Sequence, residues 1–195
     1  MPRLQTVFVL GYHGCDAAVG ESILGGDITL ARSEKAYDWL GPGAYFWESD
    51  PQRAWEWADA RKKQKQIDKA FVVGAIIDLG NCIDLFSRDS LALLAEAHSD
   101  LKAIYAAAPK GAPFPENKGG DSDKLLRYLD CAVINVVHAS QAKKGLEPFD
   151  TVRGLFTEGD ELYQGSGFKK KTHIQIAACR NECIKGFFRV SRAAQ

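Results

Sequence analysis

Two stretches decide how this chain is read: Gly11-Tyr12-His13-Gly14-Cys15 and Leu40-Gly41-Pro42-Gly43-Ala44-Tyr45-Phe46-Trp47-Glu48. The first sets a polar Tyr-His-Gly at the end of an apolar strand, Val7-Phe8-Val9-Leu10, and Gly14 removes a side chain where backbone must approach another group closely. The second is a glycine-bracketed aromatic hairpin. Side chains alternate along a strand, so Tyr45 and Trp47 share one face and Phe46 takes the other. Gly41 and Gly43 permit a tight turn that lets Tyr45 lie over a flat ring.

Outward from these motifs, the first strand is expected over Val7–Tyr12 and a short helix over Ala17–Leu24, closed by Gly25-Gly26. Asp50 before Pro51 is a helix start, an N-cap followed by proline at the first helical position. That helix carries Ala54, Trp55 and Ala58 and ends in the Lys62–Lys69 region. Phe71–Asp78 has the length and composition of a buried strand. Ser87 or Asp89 caps a helix reaching Ala108, and the Gly- and Pro-rich Pro109–Asp121 reads as a loop. Ser122 is expected to cap the longest helix, through Lys144, with Leu125, Leu126, Leu129, Val133 and Val136 recurring at core-facing spacing and Gly145 as its stop. Thr151–Phe156, His173–Cys179 and Ile184–Val190 read as strands, the last two as partners. Strands at both ends with helices between predict an α+β fold whose terminal strands meet in one split sheet. A length of 195 residues makes one domain the expectation.

Lys+Arg and Asp+Glu both number 25, which removes any global argument for a nucleic-acid or membrane-surface partner. Lys169-Lys170-Lys171 is a local basic cluster at a hairpin tip. No apolar run approaches the ~20 residues of a membrane span, and Met1–Gln5 lacks the features of a signal peptide. No membrane association and a cytoplasmic location are therefore expected. The five cysteines are scattered, and no Cys/His grouping completes a metal site, so they read as reduced thiols. Cys15 lacks the Cys-His-Asn arrangement of a nucleophile.

Taken together, about thirty residues apart, the two motifs resemble the nicotinamide-dinucleotide cradle of the ADP-ribosyltransferase superfamily, in the His-Tyr-Glu branch typified by diphtheria toxin and the poly(ADP-ribose) polymerases. The resemblance implies a single domain over residues 1–195, with an ADP-ribosyltransferase-like split β-sheet core and peripheral helices. It implies NAD as co-substrate, release of nicotinamide, and transfer of ADP-ribose to a macromolecular acceptor, protein or nucleic acid. By that resemblance His13 bonds the adenosine-side ribose and Gly14 pairs with the nicotinamide amide. Tyr12 and Tyr45 frame the nicotinamide, with Gly43 in the turn beside them. The family often adds an aromatic and a serine from the next helix; here Trp55 and Trp57 are available, and Arg53 stands where serine is expected.

The family also carries a catalytic carboxylate at the start of a late strand. Cleavage of the nicotinamide–ribose bond builds positive charge on the ribose, which a nearby anion stabilises. The strand here, Lys171-Thr172-His173-Ile174-Gln175-Ile176, has no acid. Two readings stay open: an acid from the preceding glycine-rich loop, Glu158 or Glu161, or Gln175 as a neutral orienting group sharing a face with His173. Arg153 reads equally as a pyrophosphate ligand or as half of a structural ion pair. The segments Asp130–Asn135 and Thr151–Gly154 look like those of bacterial stand-alone effectors or toxins of this fold, sometimes paired with an antitoxin or immunity protein. With water as acceptor the activity becomes NAD glycohydrolysis. A non-catalytic NAD- or partner-binding module is the alternative from another class, supported by the missing acid. Relatives acting on phosphorylated RNA ends need several cleft cations, for which Arg32, Arg153 and the Lys169 cluster are the available residues.

Overall fold

The computed structural model describes residues 8–108, 113–119 and 123–192. In chain order its elements are β1 (Phe8–Asp16), α1 (Ala17–Gly25), β2 (Ala44–Glu48), α2 (Pro51–Lys63), β3 (Ala70–Asp78), β4 (Cys82–Asp84), α3 (Arg88–Ala107), β5 (Asn117–Lys118), β6 (Leu126–Arg127), α4 (Tyr128–Lys143), β7 (Thr151–Phe156), β8 (His173–Ala178), a 3-10 turn (Asn181–Cys183) and β9 (Ile184–Arg189). Seven strands form one mixed sheet in the order β4-β7-β8-β2-β1-β3-β9. Every neighbouring pair in it is antiparallel except β4 with β7. The architecture is α+β. Among the described residues no helix is long and apolar enough to cross a membrane.

Local chemistry sets most element boundaries. Asp50 accepts a hydrogen bond from the Arg53 amide at 2.9 Å, and Pro51 opens α2. Ser87 accepts from the Ser90 amide and starts α3. Asp16 ends β1 and caps α1, and Gly26 closes that helix with φ of 81°. The apolar run of β3 lies between β1 and β9, and Val72, Val73, Ala75 and Ile77 are fully buried on its two faces.

Three expectations are corrected. Strand β1 runs on through Asp16, so Tyr12-His13-Gly14 lies inside a strand rather than at its end. Strand β9 pairs with β3, not with β8, and the two lie in opposite halves of the sheet. Helix α4 starts at Tyr128, well after the expected cap. Its first turn is capped from a distance, because the Asn117 Oδ1 accepts from the Leu129 and Asp130 amides. Leu125 and Leu126, expected on a core-facing helix, are instead exposed, with Leu126 in the β5–β6 ribbon. Val7, Ser122 and residues 109–112 and 120–121 of the expected loop lie outside the described residues.

The alternation of β2 organises the layers. Phe46 enters a core with Ile23 of α1, Ala75 and Ile77. On the opposite face Tyr45 packs against a cluster that includes Ile134 and Val137 of α4 and Leu101 of α3. Trp47 meets Ala54 of α2. Helix α2 and the α3–α4 pair therefore lie side by side on one face, over different halves of the sheet.

Candidate functional site

The two halves of the sheet meet at a short seam. Strands β1 and β3 pair along their whole length, from Phe8↔Asp78 to Asp16↔Ala70, whereas β1 and β2 pair at Gly11↔Glu48 and Tyr12↔Trp47. The Ser49 amide donates to the Leu10 carbonyl at 2.8 Å. Backbone groups alternate sides along a strand, so Leu10, Tyr12 and Gly14 turn theirs toward β2. Continuing this register brings Gly14 opposite Tyr45, but there the ladder stops. The His13 side chain takes the place of the next bond: its Nδ1 lies 2.7 Å from the Tyr45 carbonyl oxygen. A carbonyl accepts, so Nδ1 carries the proton and Nε2 keeps a lone pair. Burial holds the His13 pKa below the usual imidazole value, with the Tyr45 bond acting the other way.

A cavity of about 400 Å³ lies at this opening, lined by His13, Gly43, Tyr45, Trp47, Trp57 and Gln175. The irregular segment before β2 forms its far wall with Lys35, Asp38 and Trp39, and α2 adds Arg61. Its volume lies within the range of small-molecule sites, and its walls are largely aromatic. Arg61 stacks on the Trp57 ring at 4.6 Å, and the Lys35 ammonium sits 5.8 Å from the Tyr37 ring, so two cations stand beside aromatic walls of the cleft. Sequence reasoning passed over Lys35, Asp38, Trp39 and Arg61 as site residues, and offered Trp57 only alongside Trp55. The segment that holds the first three has no periodicity to signal which side chains turn inward.

The predicted residues divide. His13, Tyr45, Gly43 and Gln175 come together on the cavity. The Tyr45 hydroxyl is committed to the turn before it, donating to the Gly41 carbonyl and accepting from the Leu40 amide, both at 2.8 Å. Burial raises its pKa well above the usual phenol value, so it is no base, and its ring is what the cavity meets. Gly43 exchanges both backbone bonds with Ser33, which holds the far wall against β2.

Gly14 is buried beneath α2 and is not among the residues lining the cavity. A Cβ there meets the Ala54 carbonyl oxygen at 2.5 Å and Trp57 Cε3 at 3.1 Å, so glycine is required for the helix to sit this close. Tyr12 packs edge-on to Phe188 and Trp55 lies under Arg192 at 5.0 Å. Neither lines the cavity; on α2 it is Trp57 that does.

Arg153 resolves into the ion-pair alternative. Its Nε and Nη2 bond both Glu48 carboxylate oxygens at 2.6 and 2.8 Å, its Nη1 reaches Asp84 at 3.2 Å, and it stacks on Phe86. The Glu48 side chain is only 11 % exposed. Glu158 stands behind the cavity, bonded by Arg53 at 3.1 Å and 4.0 Å from the His173 Nδ1. Gln175 reaches the cavity itself and lies 3.0 Å from the His173 Nε2.

Burial pushes the Cys15 thiol up to about 11, so it holds its proton at neutral pH. Among the described residues no group of three or more His, Cys, Asp or Glu side chains is placed to hold a metal ion. The site can thus offer stacking surfaces, an imidazole lone pair, a carboxamide, one lining carboxylate in Asp38, and cations at its edge. Comparisons with protein-family models, with curated proteins and with solved structures found no match.

Proposed function

We propose that this protein is a mono-ADP-ribosyltransferase that takes NAD in the cavity at the β1–β2 opening. The observation that carries this is the convergence of His13 and Tyr45: the imidazole bonds the Tyr45 carbonyl at 2.7 Å, and both residues line one cavity with Gln175. The break in the ladder between β1 and β2 supports an ADP-ribosyltransferase-like split core. Aromatic walls suit a flat nicotinamide ring. Lys35 and Arg61 are the cations left for the pyrophosphate, because Arg153 is occupied by Glu48 and Asp84.

NAD brings a good leaving group, so the protein's task is to orient and to stabilise developing positive charge on the ribose. Glu158 is off the cavity and neutralised by Arg53. The group that attends the ribose is then Gln175, a dipole rather than a charge, and Asp38 is the carboxylate that lines the same space. The His13 Nε2 lone pair accepts from the adenosine-side ribose. The acceptor of ADP-ribose is a macromolecule, in keeping with an effector or toxin held in check by an immunity partner; water as acceptor gives a glycohydrolase.

A non-catalytic NAD-binding module is the second reading, favoured by the absence of a carboxylate at Gln175. The test is incubation with NAD, with and without cell lysate as acceptor, followed by quantification of nicotinamide and of ADP-ribosylated product. Turnover lost in His13→Ala and in Gln175→Ala supports the transferase. Tight NAD binding without nicotinamide release supports the module, and no NAD binding by calorimetry refutes both.

A further inference from the structure

We propose that His173 is a positioning residue: it fixes the Gln175 carboxamide with Oε1 toward the cavity, where that oxygen and the Trp47 indole N–H form an acceptor–donor pair for a ribose hydroxyl. The ligand side of this inference rests on the proposed function; the orientation does not.

The orientation follows from a chain of two hydrogen bonds. The His173 side chain is 0 % exposed. Its Nδ1 lies 2.6 Å from the Lys171 carbonyl oxygen, which can only accept, so Nδ1 bears the proton. In the neutral ring Nε2 is then an acceptor, and its partner at 3.0 Å, the Gln175 carboxamide, must present N–H to it. The Oε1 of Gln175 is thereby turned away from His173 on a side chain that lines the cavity. A glutamine without such a neighbour has two nearly equivalent amide orientations; here one is selected.

The second half of the pair comes from the register. Gln175 is directly opposite Trp47 in the β2–β8 ladder, so the two side chains are neighbours on one face. Trp47 is 8 % exposed, lines the same cavity, and its Nε1 has no hydrogen-bond partner among the described residues. Buried donors without partners are rare in folded proteins and point to a missing acceptor. A hydroxyl donates and accepts at once, which matches an amide oxygen beside an indole N–H. A carboxylate at Gln175, by contrast, would face the His173 lone pair and force the ring to take up a second proton.

The groups facing His173 fix its protonation. Arg53 and Asp50 approach from α2, Glu158 from the loop after β7, and the rings of Trp39 and Phe156 pack beside it. Burial outweighs the two carboxylates and keeps the ring neutral at neutral pH. A second proton turns Nε2 into a donor, so the carboxamide must reverse and aim N–H at the ligand. Hydroxyl binding therefore weakens on acidification.

The experiment has two arms on the full chain. Ring-nitrogen NMR, with His173 assigned by comparison with His173→Gln, is expected to show the Nδ1–H tautomer; an Nε2–H tautomer overturns the orientation. Calorimetry with a non-hydrolysable NAD analogue is expected to show about tenfold weaker binding in His173→Leu. Rescue is expected in His173→Gln, whose oxygen can still accept from Gln175. His173→Leu is expected to add nothing to Gln175→Leu. Additive losses, or unchanged affinity in a folded His173→Leu, overturn the positioning role. An analogue that fails to bind wild-type protein with the Nδ1–H tautomer intact refutes the dinucleotide reading and the hydroxyl pair together, while the carboxamide orientation stands.

Discussion

Replacing Tyr45 by phenylalanine separates the two jobs of this residue. The ring that lines the cavity stays, and the hydroxyl that holds the glycine turn goes. That hydroxyl makes two bonds of 2.8 Å, to the Gly41 carbonyl and from the Leu40 amide. Leu40 is fully buried, and Gly41 is held at φ of 74° with its Cα against Ile134, so water cannot easily replace the lost oxygen. Two net hydrogen bonds are worth about 2 kcal/mol, and a stranded buried N–H adds about 1 kcal/mol or more, so Tyr45→Phe is expected to cost about 3 kcal/mol. For a chain of this size that corresponds to a fall in melting temperature of roughly 6–12 °C. Differential scanning calorimetry and urea unfolding supply the measurement, with NAD-analogue affinity measured well below the transition. Affinity should fall much less than stability, because the stacking surface survives. A melting temperature within about 2 °C of wild type would show that the phenol does not hold the turn.

Three further outcomes are expected. Gly14→Ala forces a methyl to 2.5 Å from the Ala54 carbonyl, so it should cost about 1–3 kcal/mol in urea unfolding as α2 lifts from the sheet; an unchanged midpoint contradicts the close seat of that helix. Glu48→Gln breaks the paired bonds to Arg153 and is expected to destabilise by about 1–3 kcal/mol while leaving NAD affinity intact; weaker NAD binding would return Arg153 to the ligand. The pH dependence of stability follows from His13, His138 and His173, whose pKa values burial holds below 6.5. The unfolded state takes up these protons first, so stability is complete above pH 6.5 and declines as pH falls below it, by up to about 1.4 kcal/mol per pH unit for each ring. The stabilisation from the depressed carboxyls of Asp16 and Glu21 is present above about pH 4.5 and is lost only as pH falls below it, outside that window. Urea midpoints that rise between pH 7 and 5 contradict this.

What was legible in the sequence was local. The starts of α2 and α3 are written in Asp50-Pro51 and Ser87, because a cap and its amide lie three residues apart. The start of α4 is not, because its cap is Asn117, twelve residues before Leu129. The partner of β9 depends on which strand edge remains open once the sheet assembles, which no window of sequence contains. At the site, His13 and Tyr45 were visible through their glycine-rich surroundings. Trp55 and Trp57 look equivalent in composition, but two residues apart on a helix they face different directions, and the seat of α2 on Gly14 turns Trp57 inward. Arg153 was ambiguous because guanidinium chemistry suits phosphate and carboxylate alike; the fold supplies Glu48 and Asp84.

The brief β1–β2 seam gives the molecule the build of a pair of calipers. One jaw is braced by Ala54 and Ala58 of α2, the other by Ile134 and its neighbours on α4. Those braces stand at positions that do not line the cavity, so their bulk bears on the gap from behind. Inheritance can therefore widen or narrow the opening through methyl-sized changes behind it while His13, Tyr45 and Gln175 stay as they are. Divergent copies of such a protein would differ in the width of the opening before they differ in the residues that line it.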